Sequence, residues 1–268
     1  MLSIAGSDSG GGAGIQADLK ALAACGVHGM TAVTAITAQN TVGVLAVEAI
    51  SPEMIEAQVS AVSADIGVDA VKVGMLGTRE TIEAVAGAIS RLRDHGEVPV
   101  VVDPVMVAES GAELLDPEAR ETLIEVLLPL ATVVTPNIPE ARALTGLGDD
   151  FDQEALGEAM RRFGPEWAVV TGGHSEGLVD VLTGPDGSIS IEGERYDVDA
   201  NHGSGCTHSS ALAAGLALGM EVPEAARMAR SVASRAVGRG LTSIGSGSGP
   251  VDALGVAGIA TPHQNGRG

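Results

Sequence analysis

A glycine-rich stretch late in the chain carries the first sign of chemistry. Residues 201–210 read NHGSGCTHSS, and the small apolar run ALAAGLALG follows. The pattern predicts that Gly203, Ser204 and Gly205 begin a buried helix, with Cys206 in its first turn. Glycines let a backbone approach a ligand closely, and the free N–H groups of a first helical turn then point at that ligand. Such a helix start favours an anion, most often a phosphate.

Carboxylate and amide side chains follow two predicted strands where each strand ends. Asp103 closes the buried run VVVDPVM, and TPNIPEA places Asn137 and Glu140 three residues apart at a predicted helix start. Carboxylates suit Mg²⁺ or a metal bound to phosphate, so Asp103 and Glu140 are candidate metal ligands. The alternative is that Asn137 and Glu140 form a capping box and only stabilise their helix.

A third strand end offers amides. The segment TAQNT places Gln39 and Asn40 after the second predicted strand. A side-chain amide both donates and accepts hydrogen bonds, which suits the edge of a heterocycle. For Gln39 we favour a ligand contact, whereas Asn40 with Gly43 is better explained as a turn.

A partial nucleotide-binding motif lies near the N-terminus. Residues 12–17, GAGIQA, match the dinucleotide pattern G-x-G-x-x-A after a predicted strand. That pattern needs an acidic residue at the end of the second strand, and the chain has none between Asp18 and Glu48. The P-loop pattern G-x-x-x-x-G-K-[ST] is also missing from the sequence. The motif therefore does not indicate a nicotinamide or flavin enzyme, nor a P-loop enzyme.

The positions of these residues follow from an alternation of apolar strands and helices. Strands are predicted at 2–5, 30–38, 69–73, 98–102, 131–134 and 167–171, and helices near 13–25, 52–64, 78–94, 116–129, 138–145 and 152–163. Strands that are apolar throughout and separated by helices indicate a parallel sheet covered on both faces. The fold class is α/β, doubly wound, and in such sheets ligands bind at the carboxyl ends of the strands.

The last third of the chain breaks this alternation. Residues 172–198 predict two or three strands around a Pro-Asp-Gly turn, which would form an antiparallel edge. Helices near 204–219 and 223–239 then complete a single domain over residues 1–240. Residues 241–268 are rich in glycine and serine without periodicity, so we expect a loose tail.

Composition excludes several classes of protein. The chain has 35 acidic and 15 basic residues, a net charge of −20, so nucleic acid and anionic membranes are not expected partners. Only Lys20 and Lys72 are lysines, and the excess of acid is consistent with simple solubility or with a host of high internal salt. Cys25 and Cys206 form no CxxC pattern, which argues against a disulfide framework or a zinc site. With no export signal recognised, we expect a cytoplasmic protein.

Several motifs together resemble one known family. The segments AGSDSGGGAGIQADLK, TAQNT, VKVGML, DPVM, TPNIPEA, GGH and HGSGCT occur in the order and spacing of the hydroxymethylpyrimidine/phosphomethylpyrimidine kinases of thiamine biosynthesis, members of the ribokinase-like superfamily. The resemblance covers roughly residues 2–240. It implies ATP and Mg²⁺, and phosphorylation of 4-amino-5-hydroxymethyl-2-methylpyrimidine and then of its monophosphate. It also implies a homodimer.

The resemblance assigns a role to each motif. It implies pyrimidine contacts at Gly6, Asp18, Gln39, Met75 and Val105, Mg²⁺ and phosphate ligands at Asp103 and Glu140, and nucleotide contacts at Asn137, Thr171 and Gly173. Gly203, Ser204 and Gly205 would form the anion hole, with Cys206 as the catalytic base. A helix N-terminus stabilises a thiolate, so we expect the pKa of Cys206 to be lowered.

Two residues depart from the family pattern. Thr171 stands where the family usually has a lysine near the nucleotide phosphates, and His208 replaces a usually apolar residue, which we interpret as a substitution at the rim. Three alternatives stay open: a related kinase acting on pyridoxal or pyridoxine, a pyrimidine sensor without catalysis, and a thiol enzyme that uses Cys206 as its nucleophile. The thiol enzyme would leave Asp103 and Glu140 without a purpose.

Overall fold

An eight-stranded sheet forms the centre of the molecule. The computed structural model describes residues 1–94, 96–108, 111–172, 179–198 and 200–256. The strands are β1 (Leu2–Ala5), β2 (Met30–Val33), β3 (Ala35–Asn40), β4 (Gly43–Ala49), β5 (Val71–Val73), β6 (Val100–Val102), β7 (Val133–Val134), β8 (Trp167–Val170), β9 (Val179–Gly184) and β10 (Gly187–Glu192). The main sheet has the order β10-β9-β8-β7-β6-β5-β1-β2. Six strands of this sheet are parallel, namely β1, β2, β5, β6, β7 and β8. Strands β9 and β10 add an antiparallel edge.

Helices cover both faces of the sheet, as predicted. They are α1 (Gly14–Ala24), α2 (Pro52–Asp65), α3 (Arg79–Arg93), α4 (Ala119–Thr122), α5 (Ile138–Thr145), α6 (Gln153–Arg161), α7 (Ser204–Ala217) and α8 (Val222–Gly238). One apolar core packs α2, α3, α5 and α6 against the sheet, and the other packs α1, α7 and α8 against the opposite face. Neighbouring strand residues divide between them, Val100 and Val102 in the first core and Val101 in the second. The predicted fold class is therefore confirmed.

Side-chain caps set the start of four helices. Ser51, Thr78, Asn137 and Asp152 each accept a hydrogen bond from the backbone N–H three residues later. This satisfies one of the N–H groups that a first helical turn leaves without a partner. The helix predicted at 116–129 is less regular than expected: α4 continues as a π-turn over Leu123–Leu127 and a 3₁₀ turn over Leu128–Leu130.

The strand predicted at 30–38 is in fact two strands in two sheets. The main-sheet strand β2 ends at Val33, and β3 pairs with β4 in a separate antiparallel sheet. Thr34 holds the break, because its N–H donates to Ala5 and its hydroxyl donates to the Met75 carbonyl oxygen. The alternating pattern of MTAVTAITA shows that both parts are extended, but it carries no information about which sheet each part joins.

Part of the predicted loose tail is bound to the domain. The N–H of Leu241 donates to the Pro250 carbonyl oxygen, and the N–H of Val251 donates to that of His202. Val251 and Asp252 are buried. The expectation of a loose segment is therefore wrong for residues 241–252, because backbone hydrogen bonds to a fixed neighbour hold a segment without periodicity. Residues 257–268 lie outside the described residues.

Among the described residues, no helix has both the length and the apolar character needed to cross a bilayer.

Candidate active site

One cavity of about 630 Å³ lies at the carboxyl ends of the parallel strands. Each of five strands delivers a lining residue within three residues of its end: Gly6 after β1, Met75 after β5, Asp103 after β6, Asn137 after β7 and Thr171 after β8. A bridge between Asn137 and Thr171 continues the pairing of β7 with β8 into the site. The position is the one expected for ligands of an open α/β sheet.

The cavity brings together most of the residues singled out from the sequence. Those that line it are Gly6, Gln39, Met75, Asp103, Val105, Asn137, Glu140, Thr171, Gly203, Ser204, Gly205 and Cys206. Gly173 lies outside the described residues. Lining the cavity makes these residues available to a ligand, and their separate roles remain proposals.

Asp18, predicted as a pyrimidine contact, does not line the cavity in the free protein. Its side chain is fully buried beneath the cavity and is absent from the lining. Both carboxylate oxygens are occupied: Lys72 Nζ lies 2.9 and 3.0 Å from them, and the hydroxyls of Ser3 and Ser210 donate at 2.6 and 2.8 Å. The sequence placed Asp18 near the site, but it did not predict that the buried ammonium of Lys72 would form an ion pair with Asp18.

Asp8 is a site residue that sequence reasoning missed. It is 1% exposed and accepts hydrogen bonds from the N–H groups of Gly10, Gly12 and Ala13. Its Oδ2 also lies 2.9 Å from Nε2 of His202. Burial would raise the pKa of Asp8, but these hydrogen bonds, His202 foremost, bring the pKa below its ordinary value. Asp8 therefore fixes the glycine-rich loop and ties it to the segment that leads into α7.

The N-terminus of α7 is open, as predicted. Gly203 precedes the helix with φ of 84°, and among the described residues no side chain caps it. A Cβ at Gly203 would overlap with the carbonyl oxygen of Gly12. Glycine is therefore required here for two reasons, the left-handed backbone and the contact with the N-terminal loop. This contact brings the helix start up to the cavity, where its N–H groups can receive an anion.

Two carboxyl groups line the cavity, one on the buried Asp103 and one on the half-buried Glu140. Asp103 is 5% exposed, and its Oδ2 accepts from Ser209 Oγ at 2.9 Å. Burial raises the pKa of Asp103, and Lys72 and Ser209 oppose the rise. Burial, together with repulsion from Asp103, raises the pKa of Glu140 to about 8. Two carboxyl groups whose charges are costly in the free protein are suited to a cation that neutralises both.

The capping-box interpretation of Asn137 and Glu140 is confirmed. The Asn137 N–H donates to Glu140 Oε2 at 2.9 Å, and the Glu140 N–H donates to Asn137 Oδ1 at 2.8 Å. The capping box does not remove these residues from the cavity, since both line it. One motif therefore starts α5 and also orients a carboxylate toward the site.

The expected lowering of the Cys206 pKa is wrong in the free protein. Burial raises the pKa of this thiol to about 12, against the opposing effects of Lys72 and of a hydrogen bond from the Gly14 N–H. The helix N-terminus was correctly predicted, but burial of the sulfur raises the pKa of the thiol by more than the helix N-terminus lowers it. Cys206 is therefore a neutral thiol at physiological pH before ligands bind.

His208 is buried inside the wall of the cavity, not at its rim. It is 4% exposed, and its Nε2 lies 3.3 Å from Oδ2 of Asp180, a carboxylate that sequence reasoning missed. A guanidinium nitrogen of Arg230 lies 3.5 Å from the other oxygen of Asp180. Among the described residues, His208 thus faces a carboxylate, and the thiol of Cys206 is not its hydrogen-bonding partner.

Fold and cavity together define a class of enzyme. A parallel sheet with an antiparallel edge, a carboxylate pair at the strand ends and an open helix N-terminus in one cavity are the features of a ribokinase-like small-molecule kinase, which positions phosphate groups without a P-loop. The family model described as phosphomethylpyrimidine kinase matches residues 8–252. The chain belongs to this phosphomethylpyrimidine kinase family.

Individual relatives agree with this assignment. The chain is 48% identical over 256 residues to the hydroxymethylpyrimidine/phosphomethylpyrimidine kinase of Rhizobium meliloti, covering 93% of this chain and 95% of that one. Phosphomethylpyrimidine kinase of Clostridium difficile is 44% identical with a TM-score of 0.75, covering 85% of this chain and 95% of that one. An ADP complex of Bacillus subtilis pyridoxal kinase is 39% identical with a TM-score of 0.85, covering 95% and 97%.

Proposed function

We propose that this kinase transfers a phosphoryl group from ATP to the hydroxymethyl group of 4-amino-5-hydroxymethyl-2-methylpyrimidine, and then a second one to the resulting monophosphate. The observation that supports the proposal is that one cavity is lined by the predicted pyrimidine contacts, by the carboxylates of Asp103 and Glu140 and by the open N-terminus of α7. In phosphoryl transfer most of the catalysis is positioning and stabilisation of charge, which these groups supply. The two phosphorylations yield the pyrimidine diphosphate used in thiamine biosynthesis.

The pyrimidine binds between aliphatic side chains and an amide. Met75 and Val105 line the cavity near Gly6, where a side chain would meet the Met75 sulfur, and the small space suits a flat ring. The Gln39 Oε1 accepts weakly from Thr37 at 3.3 Å, which leaves its NH₂ group available to a ring nitrogen. Val42, another aliphatic residue that could have covered the ring, is 61% exposed at the β3–β4 turn and takes no part in the lining.

The transferred phosphoryl group lies between the N-terminus of α7 and the carboxylate pair. The N–H groups of Gly205 and Cys206 in the first turn stabilise the negative charge on its oxygens, whereas that of Ser204 donates to the Asn201 carbonyl oxygen. Asn137 and Thr171 lie side by side at the other wall and contact the nucleotide phosphates. Arg195 and Arg230 also line this cavity and supply positive charge where Thr171 has none.

Asp103 and Glu140 fit a magnesium ion. Mg²⁺ in kinases is commonly held by one or two carboxylates, with water and substrate phosphates completing the octahedron. No group of three or more potential metal ligands occurs among the described residues, and the carboxyl groups of Asp103 and Glu140 match the substrate-dependent arrangement. When bound, the ion neutralises charge on the phosphates.

Cys206 is needed for the first transfer more than for the second. The alcohol must lose a proton as it is phosphorylated, whereas the monophosphate already presents an anionic oxygen. Because the thiol is neutral in the free protein, it must give up its own proton to water as the ligands bind before it can act as a base. The resulting thiolate accepts the proton of the hydroxymethyl group late, when the bond to phosphorus is largely made, as a loose transition state permits.

Phosphorylation of pyridoxal is a second candidate function. The similarity in fold to the Bacillus subtilis pyridoxal kinase favours it, because the two chains superpose over nearly their full lengths. A cavity lined by flexible methionine and aliphatic side chains could accept either heterocycle.

One set of incubations separates these functions. Purified protein is incubated with ATP and Mg²⁺ and with hydroxymethylpyrimidine, its monophosphate or pyridoxal, and the products are identified by mass. We expect a monophosphate and a diphosphate from hydroxymethylpyrimidine and a diphosphate from its monophosphate. Pyridoxal phosphate as the sole product would show that the protein is a pyridoxal kinase. Binding of the pyrimidine without ADP formation would indicate a sensor.

The active form is a homodimer joined through the sheet of β3 and β4. Ile36, Leu45 and Val47 of this sheet are 54%, 78% and 48% exposed. An isolated two-stranded sheet is only marginally stable in water, so its apolar surface gains by being covered. Light scattering should give twice the chain mass for the natural protein and the chain mass for Leu45→Lys. Leu218→Lys, which changes a leucine 55% exposed and away from this sheet, is the control and should remain dimeric.

A further inference from the structure

Lys72 occupies an unusual position for a residue type that the chain almost avoids. Only two of the 15 basic residues are lysines, and Lys72 lies on the central strand β5 with its side chain completely buried. It forms an ion pair with Asp18, which is equally buried. Removing two charges from water costs several kcal/mol each, and a buried ion pair seldom repays more than that cost. The stability of the fold therefore does not explain why this pair is present.

The position of Lys72 in the cavity suggests another explanation. Lys72 forms part of the cavity wall together with Asp103 and Cys206, whereas Asp18 lies behind it. Asp18 is anchored from three sides, because Ser3 on β1 and Ser210 on α7 donate to it as well as Lys72. A carboxylate held by so many donors has little freedom. It therefore fixes the ammonium at one place under the cavity.

The charge of Lys72 is directed at the groups that carry the chemistry. Among the described residues, the two carboxylate oxygens of Asp18 are the acceptors of the Lys72 ammonium, and they use two of its three N–H groups. The facing ionisable groups are Asp18 on α1, Asp103 after β6 and Cys206 on α7. Burial would lower the pKa of Lys72, but these groups keep the pKa above its ordinary value, so the ammonium stays charged. In turn, the ammonium opposes the rise in the pKa of Cys206.

We propose that Lys72 is a positioning residue for phosphoryl transfer: its ammonium, fixed by Asp18, is the internal cation that favours negative charge at the Cys206 end of the cavity. The inference rests on the proposed function for its kinetic consequences. Lys72 does not need to touch the substrate. It acts through the thiol and through the electrostatic potential at the helix start, where charge develops as the acceptor oxygen loses its proton.

The test must separate a functional charge from a structural pair. Lys72→Met alone leaves Asp18 buried without a cation and can unfold the protein, so it is combined with Asp18→Asn. The double variant replaces the pair by neutral side chains of similar size, a change that buried ion pairs usually tolerate in stability. Thr183→Val is the control, because it removes a buried hydroxyl that does not line the cavity and keeps the ammonium. Thermal unfolding confirms that each variant is folded.

Kinetics with hydroxymethylpyrimidine give the first result. We expect kcat of the double variant to fall about 10²-fold, the usual cost of losing one charge-stabilising group, while the KM for the acceptor changes little. Thr183→Val should keep kcat within about threefold. A folded double variant with kcat close to that of the natural protein would overturn the proposal, since the pair would then be structural only.

Alkylation of Cys206 gives a second result that does not depend on activity. The thiolate is the reactive species, so the rate of modification by iodoacetamide at pH 8 reports how far the protein supports negative charge on this sulfur. We expect the rate at Cys206, followed by peptide mass, to fall about tenfold in the double variant, while the rate at Cys25 stays unchanged. An unchanged rate at Cys206 would overturn the proposal even if the natural protein proved to phosphorylate a different acceptor.

Discussion

At the scale of single residues, the site depends on groups whose charge is set by burial. Sequence predicted which side chains meet at the strand ends, since the carboxyl ends of parallel strands share one edge. It did not predict the charge states of Cys206 or Glu140, because these depend on how completely the surrounding chain excludes water. Asp8 and Lys72 were missed for a related reason: their partners, His202 and Asp18, are 194 and 54 residues away along the chain.

Replacement of Cys206 by alanine tests its part in the first phosphorylation. We expect kcat for hydroxymethylpyrimidine to fall about 10²-fold or more, the usual contribution of a proton acceptor, with a smaller loss for the monophosphate because that acceptor has no alcohol proton to lose. Steady-state kinetics on both acceptors measure the difference. Cys25→Ala, a change outside the cavity, is the control. Equal and slight losses on both acceptors would show that Cys206 only fills space.

Glu140 should make the free protein less stable as the pH rises. Its pKa in the folded state is about 8, above the ordinary value of 4.5, so folding favours the protonated form. The stabilisation from this group is complete below pH 4.5 and is lost as the pH rises through 8.

We therefore predict that Glu140→Gln raises the unfolding temperature at pH 9 and changes it little at pH 5. The expected gain at pH 9 is about 2–5 kcal/mol, since each unit of pKa difference corresponds to roughly 1.4 kcal/mol. Glu97→Gln, which removes the same charge from an exposed loop, is the control. A gain of similar size at both pH values, or the same gain in the control, would contradict the assigned pKa.

At the scale of elements, the sequence predicted helices best where a helical periodicity began next to a capping residue. The helices capped by Ser51, Thr78, Asn137 and Asp152 were located within one or two residues because their caps are local signals. The separate sheet of β3 and β4 and the docking of residues 241–252 were not foreseen. Both depend on pairing with distant segments, which no local pattern specifies.

Gly203 links the start of α7 to the cavity, because it precedes the helix and packs against Gly12 of the N-terminal loop. We predict that Gly203→Ala destabilises the protein by about 2 kcal/mol or more and lowers kcat about 10²-fold, because a side chain at positive φ is strained and this one overlaps with Gly12. Gly205→Ala is the control for folding, since a Cβ there would meet no atom within 4 Å. Thermal unfolding and steady-state kinetics measure both effects. A Gly203→Ala variant as stable and active as the natural protein would show that the contact with the N-terminal loop is dispensable.

At the scale of the whole molecule, the acidic surface should govern the response to salt. A net charge of −20 on 268 residues creates self-repulsion, which is screened as the Debye length falls from about 10 Å at 0.1 M salt to about 3 Å at 1 M. We predict that the unfolding temperature rises between about 0.1 and 2 M KCl at pH 7. Near the isoelectric point of 4.5 the rise should be much smaller. A flat or falling unfolding temperature at pH 7 would exclude adaptation to high internal salt.

The central claim is that one cavity carries out two successive phosphorylations of one pyrimidine. The most direct measurement is the amount of ADP formed per hydroxymethylpyrimidine consumed when a limiting quantity of the pyrimidine reacts to completion with excess ATP and Mg²⁺. Two phosphoryl transfers to each acceptor predict two ADP per pyrimidine, with the monophosphate appearing first and then giving way to the diphosphate. One ADP per pyrimidine with lasting monophosphate would contradict the claim, and so would ADP formation independent of the pyrimidine.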